Sequence, residues 1–276
     1  MGSELQARGV AMHPQVWSAT AALSDPDKVQ ATHRDYIRAG AEVIIANTYS
    51  SGRHVLEPAG LGGDIVRINE RAMALARQAR EESAKQPVAV AGSICEWVPA
   101  DSDWSAAQLR DSFVEQATLL ADHGADLLIV EMAQHPQRSP MAVEAALQSG
   151  LPVWVGLSCR RSPGGALVGF DPPHYPFEAI VASVADLDVG LISVMHTPIA
   201  DMAEALKTVR GRWPGPLGAY PESGHFVMPD WQFVDIIDPS DLVAEARTWL
   251  AQGVQVVGGC CGLSLPHIAA LKAAFG

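Results

Sequence analysis

Two adjacent thiols, Cys260 and Cys261, stand inside a Gly-Gly-Cys-Cys-Gly run at positions 258–262. The flanking glycines permit close backbone approach and uncommon φ values, so both sulfurs can turn towards one ion. Zinc favours Cys and His ligands, and a catalytic zinc keeps three protein ligands and one open position. The third ligand must come from another segment, where His196 is the expected ligand and Cys159 the alternative. A lone cysteine is ordinarily a small apolar residue and a lone histidine a hydrogen-bonding one. A vicinal pair between glycines shifts that balance towards a metal centre. Other polar groups end apolar runs in the same way: the Asn47 amide, the Glu131 and Glu222 carboxylates, the Tyr220 phenol and the Ser223 hydroxyl.

Those apolar runs are the elements that must position the chemistry. They occupy 42–47 (EVIIAN), 87–93 (PVAVAGS), 126–131 (DLLIVE), 152–158 (PVWVGLS), 191–196 (LISVMH), 216–220 (PLGAY) and 254–258 (VQVVG). Short uninterrupted Val/Ile/Leu runs fit strands buried on both faces of a parallel sheet. Helical patterns alternate with them at 64–83, 105–123, 139–148, 176–186, 200–210, 239–252 and 265–275. In the first, Ile65, Ile68, Ala72, Leu75 and Ala79 form a stripe at spacings of three and four, with Asp64 as the expected cap. Repeated βα units predict an α/β fold, a (β/α)8 barrel of the TIM type, built from a single domain over 1–276. Seven strands are visible, one short of closure, and the chain opens on what reads as a loop. In such barrels the polar residues at the C-terminal strand ends share one rim.

Composition narrows the partners. The 276 residues carry 19 Lys+Arg against 31 Asp+Glu, a net charge of −12. That balance argues against nucleic-acid or anionic-membrane binding, since both need a basic face. No apolar run approaches the roughly 20 residues that span a bilayer, and the N-terminus has no signal-peptide pattern. Four cysteines form no disulfide framework, so a reducing cytoplasm is the expected setting. Among the tryptophans, Trp97 beside a strand end is favoured over Trp17 and Trp104 as a cation–π wall.

The ordered set of motifs resembles the homocysteine S-methyltransferase family, zinc-dependent barrels that move a methyl group onto homocysteine. MGSELQ at 1–6, HRDYIRAGA at 33–41, ANTY at 46–49, GSI at 92–94, Glu131 in IVEM, YPESG at 220–224 and GGCC at 258–261 follow the family order along nearly the whole chain. The resemblance implies a zinc held by Cys260, Cys261 and a third ligand, with the substrate thiol in the fourth position as thiolate. It further implies that Glu131 binds the substrate's ammonium group, while Tyr220, Ser223 and the Asn47 turn shape the pocket. No cobalamin or folate module fits in 276 residues. The implied donor is therefore a small sulfonium or ammonium compound, with methionine as the product from homocysteine.

The chain departs from the family pattern at three places. Where the family carries an Asn-Cys that supplies the third sulfur, it reads Met195-His196, with Cys159 one strand earlier. An imidazole there makes the metal centre one unit more positive, which favours thiolate formation but lowers nucleophilicity. The family's first strand and its Asp-Gly-Gly fall upstream of Met1, so the expected barrel lacks or alters its first strand. His225 stands where the family usually has Glu. The same ligand set could also serve a hydrolase or lyase acting on another small substrate, or a non-catalytic thiol or metal binder.

Overall fold

Seven parallel strands carry the molecule, each flanked by the helix that returns the chain to the next. The computed structural model describes residues 1–98, 102–227 and 229–276. In chain order its strands are β1 (Val43–Ile45), β2 (Ala89–Cys95), β3 (Leu127–Ala133), β4 (Val153–Leu157), β5 (Cys159–Arg161), β6 (Leu167–Gly169), β7 (Leu191–Pro198), β8 (Leu217–Glu222), β9 (His225–Val227), β10 (Asp230–Gln232) and β11 (Val254–Val257). The main sheet runs β1-β2-β3-β4-β7-β8-β11, every neighbouring pair parallel. All seven expected strands are in it, in order. Among the described residues no strand joins β11 to β1, so the curled sheet stays one strand short of a closed eight-stranded barrel. The fold is α/β and barrel-like.

The sheet is buried because helices cover its outer face. All seven residues of β3 are buried, as are six of the seven in β2. The helix Ile65–Ser83 places Ile65, Ile68, Ala72, Leu75 and Ala79 inside, as the stripe predicts. The helix Ala106–Asp122 begins with a capping box between Ser105 and Gln108 and ends before Gly124, whose φ is +86°. No helix among the described residues is long and apolar enough to cross a membrane.

Two local expectations are corrected. Asp64 occupies the cap position of Ile65–Ser83 without making a side-chain cap bond; its carboxylate pairs instead with Arg67 at 3.2 Å. The opening segment is a helix, Gly2–Ala7, with Leu5 fully buried, rather than a loop. Two antiparallel hairpins, β5–β6 and β9–β10, also lie outside the expected elements.

Buried histidines give the core a titration of its own. His54 Nε2 lies 3.1 Å from the Cys95 carbonyl and Nδ1 lies 2.8 Å from Ser112 Oγ. A carbonyl only accepts, so Nε2 carries a hydrogen, whereas the Ser112 hydroxyl can donate to a bare Nδ1. Burial pulls His54 down to about 4, although the Cys95 carbonyl opposes the shift. With the folded value below the ordinary 6.5, the unfolded chain takes up the proton first. Stability is therefore full above pH 6.5 and is lost as the pH falls towards 4, by roughly 3 kcal/mol from this group. Histidine NMR titration should find His54 neutral at pH 5; a midpoint near 6.5 would sink the assignment.

Candidate metal centre

Three side chains from distant parts of the sequence converge at the C-terminal ends of the strands. His196 Nδ1 lies 3.5 Å from Cys260 Sγ, and the two cysteine sulfurs are 3.9 Å apart. One ligand atom from each of His196, Cys260 and Cys261 lies within 4.8 Å of the others. His196 reaches this place through an irregularity in β7. The pairing with β8 slips between Met195↔Tyr220 and Pro198↔Glu222, so two residues of β7 oppose one of β8. His196 sits in that bulge with φ +42°, a left-handed value uncommon outside glycine. The bulge takes its side chain out of the alternation of the strand.

The cysteine loop is clamped to the end of β8. Cys260 N donates to the Pro221 carbonyl at 2.8 Å, and Ser223 N donates to the Cys261 carbonyl at 2.9 Å. Gly262 closes the loop at φ +80°, where any Cβ would collide with the Ser223 carbonyl. Of the glycines in this run, Gly262 is the one that close backbone approach makes obligatory.

The surroundings favour positive charge at this spot. Glu222 Oε2 lies 3.1 Å from His196 Nε2, on the side of the ring away from the cysteines. Burial alone would depress the His196 imidazole, but Cys260 and Glu222 outweigh it and raise the group to about 9. The neighbouring Cys261 thiol and burial push Cys260 well above the ordinary thiol range. Two sulfur donors and one imidazole suit a soft or borderline divalent cation.

A carboxylate pocket adjoins the cluster. Glu131 is buried and accepts a 2.5 Å hydrogen bond from Ser93 Oγ. A second bulge aims it, for the β3–β4 register slips between Val130 and Ala133 and Met132 has φ +56°. Burial raises the Glu131 carboxyl above its ordinary range, against the opposing pull of the Ser93 hydroxyl. The Tyr220 hydroxyl is buried beside it without an aligned hydrogen-bond partner. Gly156 leaves the room, since a Cβ there would strike Tyr220 Oη.

The other sequence candidates are placed differently. The Asn47 amide is bonded at both ends to Ser18, donating to its carbonyl at 2.7 Å and accepting from its hydroxyl at 3.0 Å. Ser223 Oγ accepts from Ile237 N at 2.9 Å. Both side chains tie rim loops together. Cys159 lies in the hydrophobic core, its sulfur accepting from Thr197 Oγ1 at 3.8 Å, and is not part of the cluster. Trp97 packs in a side cluster with Val16 and Cys95.

Aromatic rings wall the cluster, and most of them went unread in the sequence. Phe170 and Trp231 sit 4.7 and 5.7 Å from the His196 ring, Phe226 stacks on Trp231, and Trp17 meets Phe226 edge-on. Trp231 is held by Gln6, which accepts from its backbone N at 2.7 Å and donates to its carbonyl at 2.9 Å. The signal available was the aromatic content of 225–231, but a short hairpin shows too little alternation to announce itself.

With this geometry in hand, known proteins supply the comparison. The family model for homocysteine S-methyltransferase matches residues 1–275. Betaine–homocysteine S-methyltransferase 1 from Mus musculus is 27% identical over 276 residues, covering 92% of the chain. The chain spans 66% of that relative's length. Homocysteine S-methyltransferase from Escherichia coli (strain K12) is 29% identical over 301 residues, covering 99% of the chain and 92% of the relative. The crystal structure of the homocysteine methyltransferase MmuM from Escherichia coli, in its metallated form, superposes with a TM-score of 0.76 at 26% identity. That match covers 99% of this chain and 93% of the other.

Proposed function

The chain belongs to the homocysteine S-methyltransferase family, and on that premise we propose that it transfers a methyl group from a small sulfonium or ammonium donor to the thiol of homocysteine or a related thiol. The observation that carries the reading is the convergence of His196, Cys260 and Cys261 at a strand-end rim beside the buried Glu131. The four cysteines are all free, which suits a reducing cytoplasm.

The three donors fit zinc. Tetrahedral zinc with Zn–S of about 2.3 Å and Zn–N of about 2.0–2.1 Å calls for S···S near about 3.8 Å and S···N near about 3.6 Å. The structure has 3.9 and 3.5 Å for the two pairs that include Cys260, and the third pair, Cys261 with His196, lies within 4.8 Å. A zinc ion bound there supplies the positive charge that keeps an incoming thiol as its thiolate at neutral pH. The chain's own residues supply orientation. Glu131, buried with one hydroxyl donor, offers its carboxylate to the ammonium group of an amino-acid thiol, and Tyr220 stands ready to bond the same region. Two fixed points, sulfur and ammonium, set the axis along which the thiol lies.

The methyl transfer itself needs no protein acid or base. The thiolate sulfur forms the new bond to the methyl carbon. The donor's old C–S or C–N bond breaks, and its electron pair neutralises the onium charge. What the reaction needs is alignment and a site that holds a cation without hydrating it. The Phe226 and Trp231 rings at the rim offer cation–π contact of that kind, whereas Phe170 already lies under the Arg160 guanidinium at 5.8 Å.

The test is thiol consumption with methionine formation by purified zinc-loaded protein. Homocysteine is offered with S-methylmethionine, S-adenosylmethionine or a betaine in turn. At least one donor should consume thiol and yield methionine. If none does, the reading fails for homocysteine; turnover of a thiol-free substrate would then point to a hydrolase or lyase.

A further inference from the structure

We propose that Glu222 is the positioning residue that makes His196 a metal ligand: its carboxylate holds the far ring nitrogen and supplies, from behind the ring, negative charge to the centre. The inference rests on the metal-centre reading above and adds a residue to it.

An imidazole is a conditional ligand in a way that a thiolate is not. It must present one particular nitrogen, with the lone pair free and the hydrogen on the other nitrogen, and its plane must face the ion. A metal-bound histidine is commonly fixed by a carboxylate or carbonyl on its second nitrogen, which also makes the ring a stronger donor. His196 turns Nδ1 towards Cys260 at 3.5 Å, which leaves Nε2 to carry the hydrogen. Glu222 Oε2 faces Nε2 at 3.1 Å. Tilt of the ring is limited by Phe170 on one flank and Trp231 on another, at 4.7 and 5.7 Å.

The sheet fixes this arrangement. Glu222 is the β8 residue that pairs with Pro198 immediately after the β7 bulge, so the bulge that projects His196 also brings it to Glu222. Besides His196, the cation that acts on this carboxylate is the Arg160 guanidinium, with which it makes no ion pair within 4 Å among the described residues. The carboxylate is buried, its Oε2 has no hydrogen-bond donor in line, and His196 is its one short polar contact among the described residues. A buried carboxylate left so sparsely bonded is costly unless a charged partner completes it. An imidazole drawn towards a cation at Nδ1 carries more positive charge at Nε2–H, which strengthens its attraction to the Glu222 carboxylate 3.1 Å away. With a divalent ion, two thiolates and a neutral imidazole would leave the centre without net charge, and an ionised Glu222 would add one negative charge behind the ring, set against the Arg160 guanidinium.

The test is a double-variant cycle read by metal affinity. Zinc and cobalt(II) are titrated against a competing chelator into the wild-type chain, Glu222→Gln, His196→Cys and the double variant. Melting of each metal-free protein reports folding. Glu222→Gln should weaken metal binding about 10–100-fold and shift the cobalt absorption bands. In the His196→Cys background the same change should cost less than about threefold, because a sulfur ligand has no second atom to be held. Equal affinities for the wild type and Glu222→Gln overturn the proposal. So does an equal loss in both backgrounds, which a merely structural carboxylate would give. Should His196→Cys fail to fold, 15N-histidine NMR of the zinc-loaded wild type decides: a hydrogen on Nε2 supports the proposal and one on Nδ1 overturns it. None of these readouts uses methyl transfer, so failure of the donor assay leaves the inference standing. A wild-type chain that binds neither metal overturns both.

Discussion

Cys260→Ser and Cys261→Ser should each empty the metal centre and abolish thiol methylation while leaving the fold intact. Each removes one of three ligand atoms, so the loss in affinity should exceed the roughly 10–100-fold that changes behind a ligand cost. Serine keeps the size and offers a poor ligand, since a hydroxyl does not ionise at neutral pH as a thiol does beside a cation. Both cysteines are only partly buried and lie on a loop held by backbone bonds to Pro221 and Ser223. Stability of the metal-free protein should therefore change little.

Cys159→Ala provides the contrast. That side chain is buried in the core, so its loss should cost about 1–3 kcal/mol of stability without changing metal content. Metal analysis after dialysis, with thermal melts of the metal-free proteins, separates the two outcomes. A Cys260→Ser protein that retains one metal per chain would remove the centre from this set of residues. A Cys159→Ala protein that loses the metal would reinstate the sulfur left open by the sequence.

The same contrast shows how much could be read before folding. The strands were legible because a parallel sheet buries both faces, so β4 reads as an apolar run and β3 as one until Glu131 near its C-terminal end. Once seven such runs are placed, the rim follows, and Glu131, His196 and Cys260 fall on it by position alone. What the residues could not announce is how a rim side chain is aimed. His196 and Met132 take left-handed φ values in bulges without a glycine to mark them. Glu222 is separated from His196 by 26 positions of chain and becomes its neighbour only through the register of β7 on β8.

The opening helix and the aromatic wall were hidden for a related reason. The helix Gly2–Ala7 is six residues long, too short for a stripe to repeat. Its Gln6 nevertheless holds Trp231 over the centre from 225 positions away in the chain. Asn47 shows how a residue type can suggest a site without showing its partner: its amide is bonded at both ends to Ser18, 29 positions earlier in the chain, and so fixes the turn.

Glu131→Gln should weaken homocysteine binding selectively, raising KM by roughly 10–150-fold if the charged contact contributes about 1.5–3 kcal/mol. Metal content should not change, because Glu131 is outside the ligand cluster. Glutamine can still accept from Ser93 Oγ, so the pocket keeps its shape and loses its charge. The discriminating substrate is a homocysteine analogue without the amino group. The wild type should strongly prefer homocysteine, whereas Glu131→Gln should treat the two thiols alike.

The pH profile carries the same signature with a definite sign. Burial holds the Glu131 carboxyl above its ordinary range, and only its ionised form attracts an ammonium group. KM for homocysteine should therefore rise as the pH falls through that raised value, and the acid limb should flatten in Glu131→Gln. The amine-free analogue should show no such limb with either protein. If Glu131→Gln still discriminates against the analogue, the ammonium is held elsewhere and Glu131 is a buried structural carboxylate of the rim.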